Sequence, residues 1–196
     1  MPNPAMEIHL VNLETKSTHI FSILDIYKSI RFWLIQNGYV DHRDTNFPET
    51  NYWESRTQTR GTEFWIWWRP KKTVADNRFW RRVIDIDFHG VGITDVDIMY
   101  QGQKIRVQKG KFEILMRIKL ELDVGGRWRK SKLMSNLLAP FWRKIWRREL
   151  DMQKRDIMFE AYRLQDHCKK FFKMPMLYQP DMKPFIPMSG YEEEPY

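Results

Sequence analysis

Apolar side chains recur at every third or fourth position early in the chain: Ile23, Ile26, Tyr27, Ile30, Trp33 and Leu34. That spacing lays them along one stripe of a helix running from Ser22 to Asn37. Ser22 stands where an N-cap is needed, with Asp25 three residues on, close to a capping-box arrangement. Gly38 supplies the residue that ends such a helix. Ahead of it, residues 6–16 alternate loosely and predict a short edge strand. After it, residues 41–49 are polar and contain Pro48, which predicts a loop. Residues 51–58 and 62–69 are rich in Trp, Tyr, Phe and Thr and predict two strands joined at Arg60-Gly61. Residues 70–79 hold a proline, two lysines and Asp76-Asn77, and predict another loop.

Beyond residue 80 the period becomes two. Trp80, Arg82, Ile84, Ile86 and Phe88 alternate with Arg81, Val83, Asp85 and Asp87. Gly90-Val91-Gly92 is expected to break that strand, and a second one to run from about Ile93 to Met99. Gln101-Gly102 and Lys109-Gly110 each predict a two-residue hairpin loop, because primed turns need positive φ at the glycine. Such loops fix register. About the first, Val96 faces Val107, Asp97 faces Arg106 and Ile98 faces Ile105. About the second, Val107 faces Phe112, Arg106 faces Glu113 and Ile105 faces Ile114. Apolar meets apolar and charge meets its complement, which predicts an antiparallel meander. In the last strand Phe112, Ile114, Met116, Ile118, Leu120 and Leu122 form a core face, with a mostly wet face opposite.

From about Lys132 to Lys173 the chain reads as helical, in two pieces or one kinked piece. Leu133, Leu137, Phe141 and Ile145 mark the first part; Ile157, Ala161, Leu164, Cys168 and Phe171 mark the second. A mainly antiparallel sheet with one apolar face, and an amphipathic segment before and after it, predicts a two-layer α+β domain. The expected form is a curved sheet covered on one face by the N-terminal helix and the long C-terminal one. Residues 1–173 are read as a single domain. Residues 174–196, with five prolines and Glu192-Glu193-Glu194 near the end, are read as an extended tail that docks on a protein partner if it orders at all.

Composition narrows the functional classes. One cysteine in 196 residues excludes a disulfide framework and a multi-cysteine zinc site. No apolar run approaches the roughly 18 residues that span a bilayer. Met1-Pro2-Asn3-Pro4-Ala5 lacks the basic and apolar parts of a secretory leader, so the expected compartment is the cytoplasm. The net charge is +8, and residues 101–150 hold 14 basic and 4 acidic side chains, an excess of +10. A localised excess attracts polyanions: nucleic acid, a ribonucleoprotein or an anionic membrane surface. A solvated basic face without a partner has the same composition.

Candidate chemistry is sparse. Asp85, Asp87 and His89, with Asp95 and Asp97 beside them, carry the donors of a divalent-cation site. An alternating-sign ladder, with Arg106 against Asp97 and Glu113 beyond, accounts for the same carboxylates. None of the five histidines has zinc-motif spacing, and there is no nucleophile elbow or phosphate loop. No catalytic residue, metal or cofactor is assigned. Phe64-Trp65-Ile66-Trp67-Trp68-Arg69 places Trp65 and Trp67 on the face opposite the core, together with Arg117 and Lys119. Aromatics and cations on an open sheet face form a stacking platform for single-stranded nucleic acid; packing under another segment is the alternative. The run 141–148 interleaves aromatic and basic residues, and Lys130, Lys132, Arg143, Lys144, Arg147 and Arg148 are the expected phosphate contacts. An interfacial membrane helix fits the same composition.

Three features together resemble an uncharacterised archaeal protein family: the helix ending Gln36-Asn37-Gly38-Tyr39, the stretch 95–123, and a long basic helix after Arg127-Trp128. The resemblance covers about residues 20–172. It implies an archaeal-type cytoplasmic protein and transfers no functional residue. The sequence therefore predicts a non-enzymatic binding protein whose basic face contacts nucleic acid or a ribonucleoprotein. The alternatives are a helix-grip-like domain holding a small apolar ligand under the long helix, or a peripheral membrane or assembly component.

Overall fold

The computed structural model describes residues 6–41, 47–57, 59–74, 79–100, 103–126 and 144–172, and between the last two segments residues 128, 130, 131, 134, 136 and 140. Lys132, Arg143 and the tail 174–196 lie outside the described residues, as do Leu133, Leu137 and Phe141. The elements are β1 (Met6–Ser17), β2 (Ile20–Phe21), α1 (Ile23–Gln36), β3 (Glu49–Thr57), β4 (Gly61–Trp68), β5 (Lys71–Thr73), β6 (Trp80–Tyr100), β7 (Gln103–Leu122) and α2 (Arg147–Phe171). All seven strands join one antiparallel sheet in the order β1-β7-β6-β4-β3, with β2 beside β7 and β5 beside β6. The fold is α+β with an open curved sheet.

Local chemistry places α1 where the apolar stripe predicts. The Asp25 backbone N–H donates to Ser22 Oγ at 3.3 Å, and Ile26, Ile30, Trp33 and Leu34 are buried. Gly38, at φ +73°, donates to Ile35 O while Tyr39 N–H donates to Leu34 O, which closes the helix as a Schellman motif. β1 is an edge strand, as expected, and runs alongside β7 from Met6↔Leu122 to Ser17↔Phe112.

The central hairpin corrects the sequence reading. Val96↔Val107, Asp97↔Arg106 and Ile98↔Ile105 pair as expected about residues 101–102. The expected turn at Lys109-Gly110 is absent: β7 runs through it, and so does β6 through Gly90-Val91-Gly92. Ile114 therefore pairs with Phe88 and Phe112 with Gly90, and Glu113 lies opposite His89. The pairs Ile105–Ile114, Val107–Phe112 and Arg106–Glu113 do not form. Between Val91↔Lys111 and Thr94↔Lys109 the register slips, with Gly92 and Ile93 opposing Gly110. Gly92 sits at φ +63°, as a bulge residue does. A Cβ on Gly110 would stand 2.8 Å from the Gly92 carbonyl oxygen. The glycines thus allow two backbones to close at a bend rather than reverse the chain.

One face of the sheet carries the core. Trp80, Ile84, Ile86 and Phe88 of β6 and Phe112, Ile114, Met116, Ile118, Leu120 and Leu122 of β7 are all nearly or fully buried. α1 and the Ile157, Ala161, Leu164 and Cys168 stripe of α2 cover this face. Trp80, Leu120 and Leu122 pack with Phe79 and Leu150 in a second cluster, reached by Trp128 and Trp146. Arg82 shares the core face and is buried. Its guanidinium bonds Glu160 at 2.8 Å, Asp156 at 2.9 Å and Gln153 at 2.9 Å on α2. Glu160 also accepts from Lys72 at 2.7 Å and from the Tyr39 hydroxyl at 2.6 Å. This network ties α2 to β5, β6 and the end of α1, so the orientation of α2 and of its outer surface is set by buried contacts.

Candidate functional site

The two sets of residues singled out in the sequence lie on opposite layers. On the sheet face away from the helices, β3–β4–β6–β7 pairing aligns Trp53, Trp65, His89 and Glu113 in one row, and Asn51, Trp67, Asp87 and Leu115 in the next. Trp65 stacks on His89 with ring centroids 3.7 Å apart. Trp53 and Trp67 are 47% and 38% exposed. Trp53 was missed in the sequence because its role depends on lying opposite Trp65 across the β3–β4 hairpin.

Trp65, Trp67, Arg117 and Lys119 do share this face, but its cations are neutralised. Arg117 reaches Asp87 at 2.5 Å and Lys119 reaches Asp85 at 2.9 Å. Arg69 holds the second oxygen of Asp87 at 2.6 Å and lies 6.0 Å from the centre of the Trp67 ring. The hydrogen bond to Asp85 holds the Lys119 ammonium above the ordinary lysine range. Glu121 is clasped by Arg81 and Lys71. An alternating-sign ladder is present across this face; past the bulge the arm's charges turn to the α1 side and take partners other than expected, Asp97 bonding Lys104 at 2.9 Å and Arg106 lying 3.4 Å from Asp95. Among the described residues no three His, Cys, Asp or Glu side chains gather as a metal site. A strand-borne platform with balanced charge has aromatic faces and no net pull on phosphate.

A row of exposed cations without close ion pairs runs along the outer side of α2 and just ahead of it. The helix's buried stripe, Leu150, Gln153, Ile157, Ala161, Leu164 and Cys168, turns the opposite side to solvent. Arg147, Arg148, Arg155 and Arg163 are exposed there, interrupted by Asp151, and Lys144 is exposed just ahead of the helix. Arg147 and Asp151 approach only to 3.9 Å, with side chains 78% and 59% exposed. Among the described residues Lys144, Arg148, Arg155 and Arg163 have no ion-pair partner. Ile145, Met152 and Phe159, exposed by 66%, 40% and 41%, alternate with these cations. Ile145 was read as part of the core stripe; it faces solvent because the buried stripe begins with Leu150. Arg155 and Arg163 were not singled out, although 148, 152, 155, 159 and 163 repeat at helical spacing and mark a second stripe. Lys130 is exposed as well. No described helix is long and apolar enough to cross a membrane. No family model matches the chain, and neither a curated protein nor a solved structure matches it, so the site rests on its own geometry.

Proposed function

We propose that the chain binds nucleic acid, free or within a ribonucleoprotein, through the outer face of α2. The observation that supports this reading is the row Arg147, Arg148, Arg155 and Arg163, exposed on one side of a helix whose other side is locked into the core, with Lys144 exposed just ahead of it. From Arg147 to Arg163 the row extends about 24 Å at 1.5 Å per residue. At roughly 3.4 Å per phosphate along one strand, that length is matched by about seven phosphates. The contacts are electrostatic and long-side-chained, so they favour backbone binding over base reading. Phe159 offers a ring to an unpaired base, and Ile145 and Met152 pack against sugars. The sheet-face tryptophans are on the far layer and take no part in this contact.

The test is fluorescence anisotropy with labelled single-stranded RNA, duplex RNA and DNA, using wild type and a variant with Lys144, Arg147, Arg148 and Arg155 changed to Gln. Binding tighter than roughly 100 μM at low salt, the usual non-specific floor, and lost in the variant, is expected. Trp65→Ala with Trp67→Ala leaves it unchanged. No polynucleotide binding by wild type would overturn the reading. The apolar residues among the cations also suit an anionic bilayer; flotation with phosphatidylserine liposomes, released by the same variant in the absence of polynucleotide binding, would put a membrane surface in its place.

A further inference from the structure

We infer a small-molecule site in the cleft between the first turns of α1 and the β3–β4 hairpin, separate from the α2 surface. The cleft has a volume of about 490 Å³, within the roughly 300–1,000 Å³ of organic-ligand pockets. Its floor is Phe64, Ile66 and Ile93, each about 5–6% exposed. The bulge at Gly92 makes this floor: the extra residue turns Ile93 inward and carries Asp95 to the α1 side.

The walls are organised. Gln108 Oε1 accepts the Ile23 backbone N–H at 3.2 Å, while Gln108 Nε2 donates to Asp95 at 2.9 Å. Across the cleft, Tyr52 donates its hydroxyl to Glu54 at 2.7 Å and Arg56 Nε donates to the other oxygen at 2.5 Å. These bonds hold the Glu54 carboxyl below the usual range. Tyr27 and Tyr52 supply ring faces, and the Tyr27 hydroxyl is held by Glu49 at 2.8 Å. Tyr52 and Leu24, exposed by 54% and 58%, flank the mouth. An apolar floor, aromatic sides and a pre-bonded polar rim with both signs of charge suit an uncharged, amphipathic aromatic compound. Its ring lies over Phe64, Ile66 and Ile93, and its polar end meets the Tyr52–Glu54–Arg56 group. A strongly anionic ligand is disfavoured by Glu54 and Asp95. The cleft lies beside α1, whereas the expected ligand-gripping site lies under the long helix.

The probe is prodan, a neutral naphthalene whose emission reports polarity. Titrated into the full chain, it is expected to bind saturably with a blue shift and a Kd below roughly 1 mM. Thr62→Trp fills the cleft and Tyr52→Ala removes a wall; each should weaken binding at least tenfold. Leu24→Trp at the exposed mouth does the same without touching the floor, so a folding failure at Thr62 leaves the test intact. The α2 glutamine variant should bind prodan as wild type does, which separates this site from the proposed nucleic-acid surface. Non-saturable binding, or binding unchanged in the folded cleft variants, would overturn the inference.

Discussion

Replacing Gly90 by alanine tests the register of the long hairpin at its most crowded point. A Cβ at this position would stand 2.3 Å from Phe64 Cε1 and 2.6 Å from Cζ. Phe64 is 5% exposed, and its ring centre lies 5.8 Å from that of Phe112. The ring has to shift, and the shift disturbs its packing against Phe112. Overpacking of this kind costs about 1–3 kcal/mol. With a urea m-value of about 2 kcal/mol/M, the unfolding midpoint should fall by roughly 0.5–1.5 M. Phe64→Leu alone should cost about 1–2 kcal/mol through lost volume. In the double variant the smaller leucine makes room for the methyl group, so the combined loss should be smaller than the sum by about 1 kcal/mol. Tryptophan fluorescence during urea unfolding reads all four proteins. An unchanged midpoint for Gly90→Ala, or strict additivity in the double variant, would refute the placement of Gly90 beneath Phe64.

Arg82→Met should cost about 2–4 kcal/mol in the same assay, below the full penalty for breaking a buried pair, because Glu160 keeps Lys72 and Tyr39; a loss under about 1 kcal/mol would deny the network its role in seating α2. Burial pushes the Cys168 thiol up to about 12, so the native protein should resist a disulfide reagent at pH 8 and react at once in denaturant; rapid native labelling would contradict the packing. Burial, with the charge of Lys170, holds His167 below its ordinary 6.5. The unfolded chain then binds the extra proton first, so stability should fall as pH drops below about 6.5. His167→Gln should remove that part of the slope, and a slope of opposite sign in wild type would contradict it.

The helix stop at Asn37-Gly38-Tyr39 and the hairpin about residues 101–102 were legible because each has one local solution. Lys109-Gly110 was not. The apolar positions change phase, from odd numbers at Ile105 and Val107 to even numbers at Phe112 and Ile114, and a third hairpin would bring them onto one face. The bulge lies in β6, so the continuous β7 instead leaves Ile105 and Val107 on the face opposite Phe112 and Ile114. The choice was made by long-range pairing, since β7 must serve β1 on one edge and β6 on the other. The platform residues Trp65 and Trp67 were correctly placed opposite the core, but which cations stay available depends on side-chain partners. Asp85 and Asp87 take Lys119 and Arg117 out of consideration, whereas nothing described takes Arg148 or Arg155. The cleft was invisible because its floor needs the inward turn of Ile93 at the bulge.

The salt dependence of polynucleotide binding measures the central proposal most directly. Each phosphate contact contributes a slope of about −0.7 on single strands and −0.9 on duplex DNA to log Kobs against log salt. Five contacts along α2 give roughly −3.5 and −4.5, respectively. Changing Lys144, Arg147, Arg148 and Arg155 to Gln should leave a slope no steeper than about −1, with the unfolding midpoint nearly unchanged because exposed charges contribute little to stability. A wild-type slope that the four substitutions do not alter would contradict the account and move the interface away from α2.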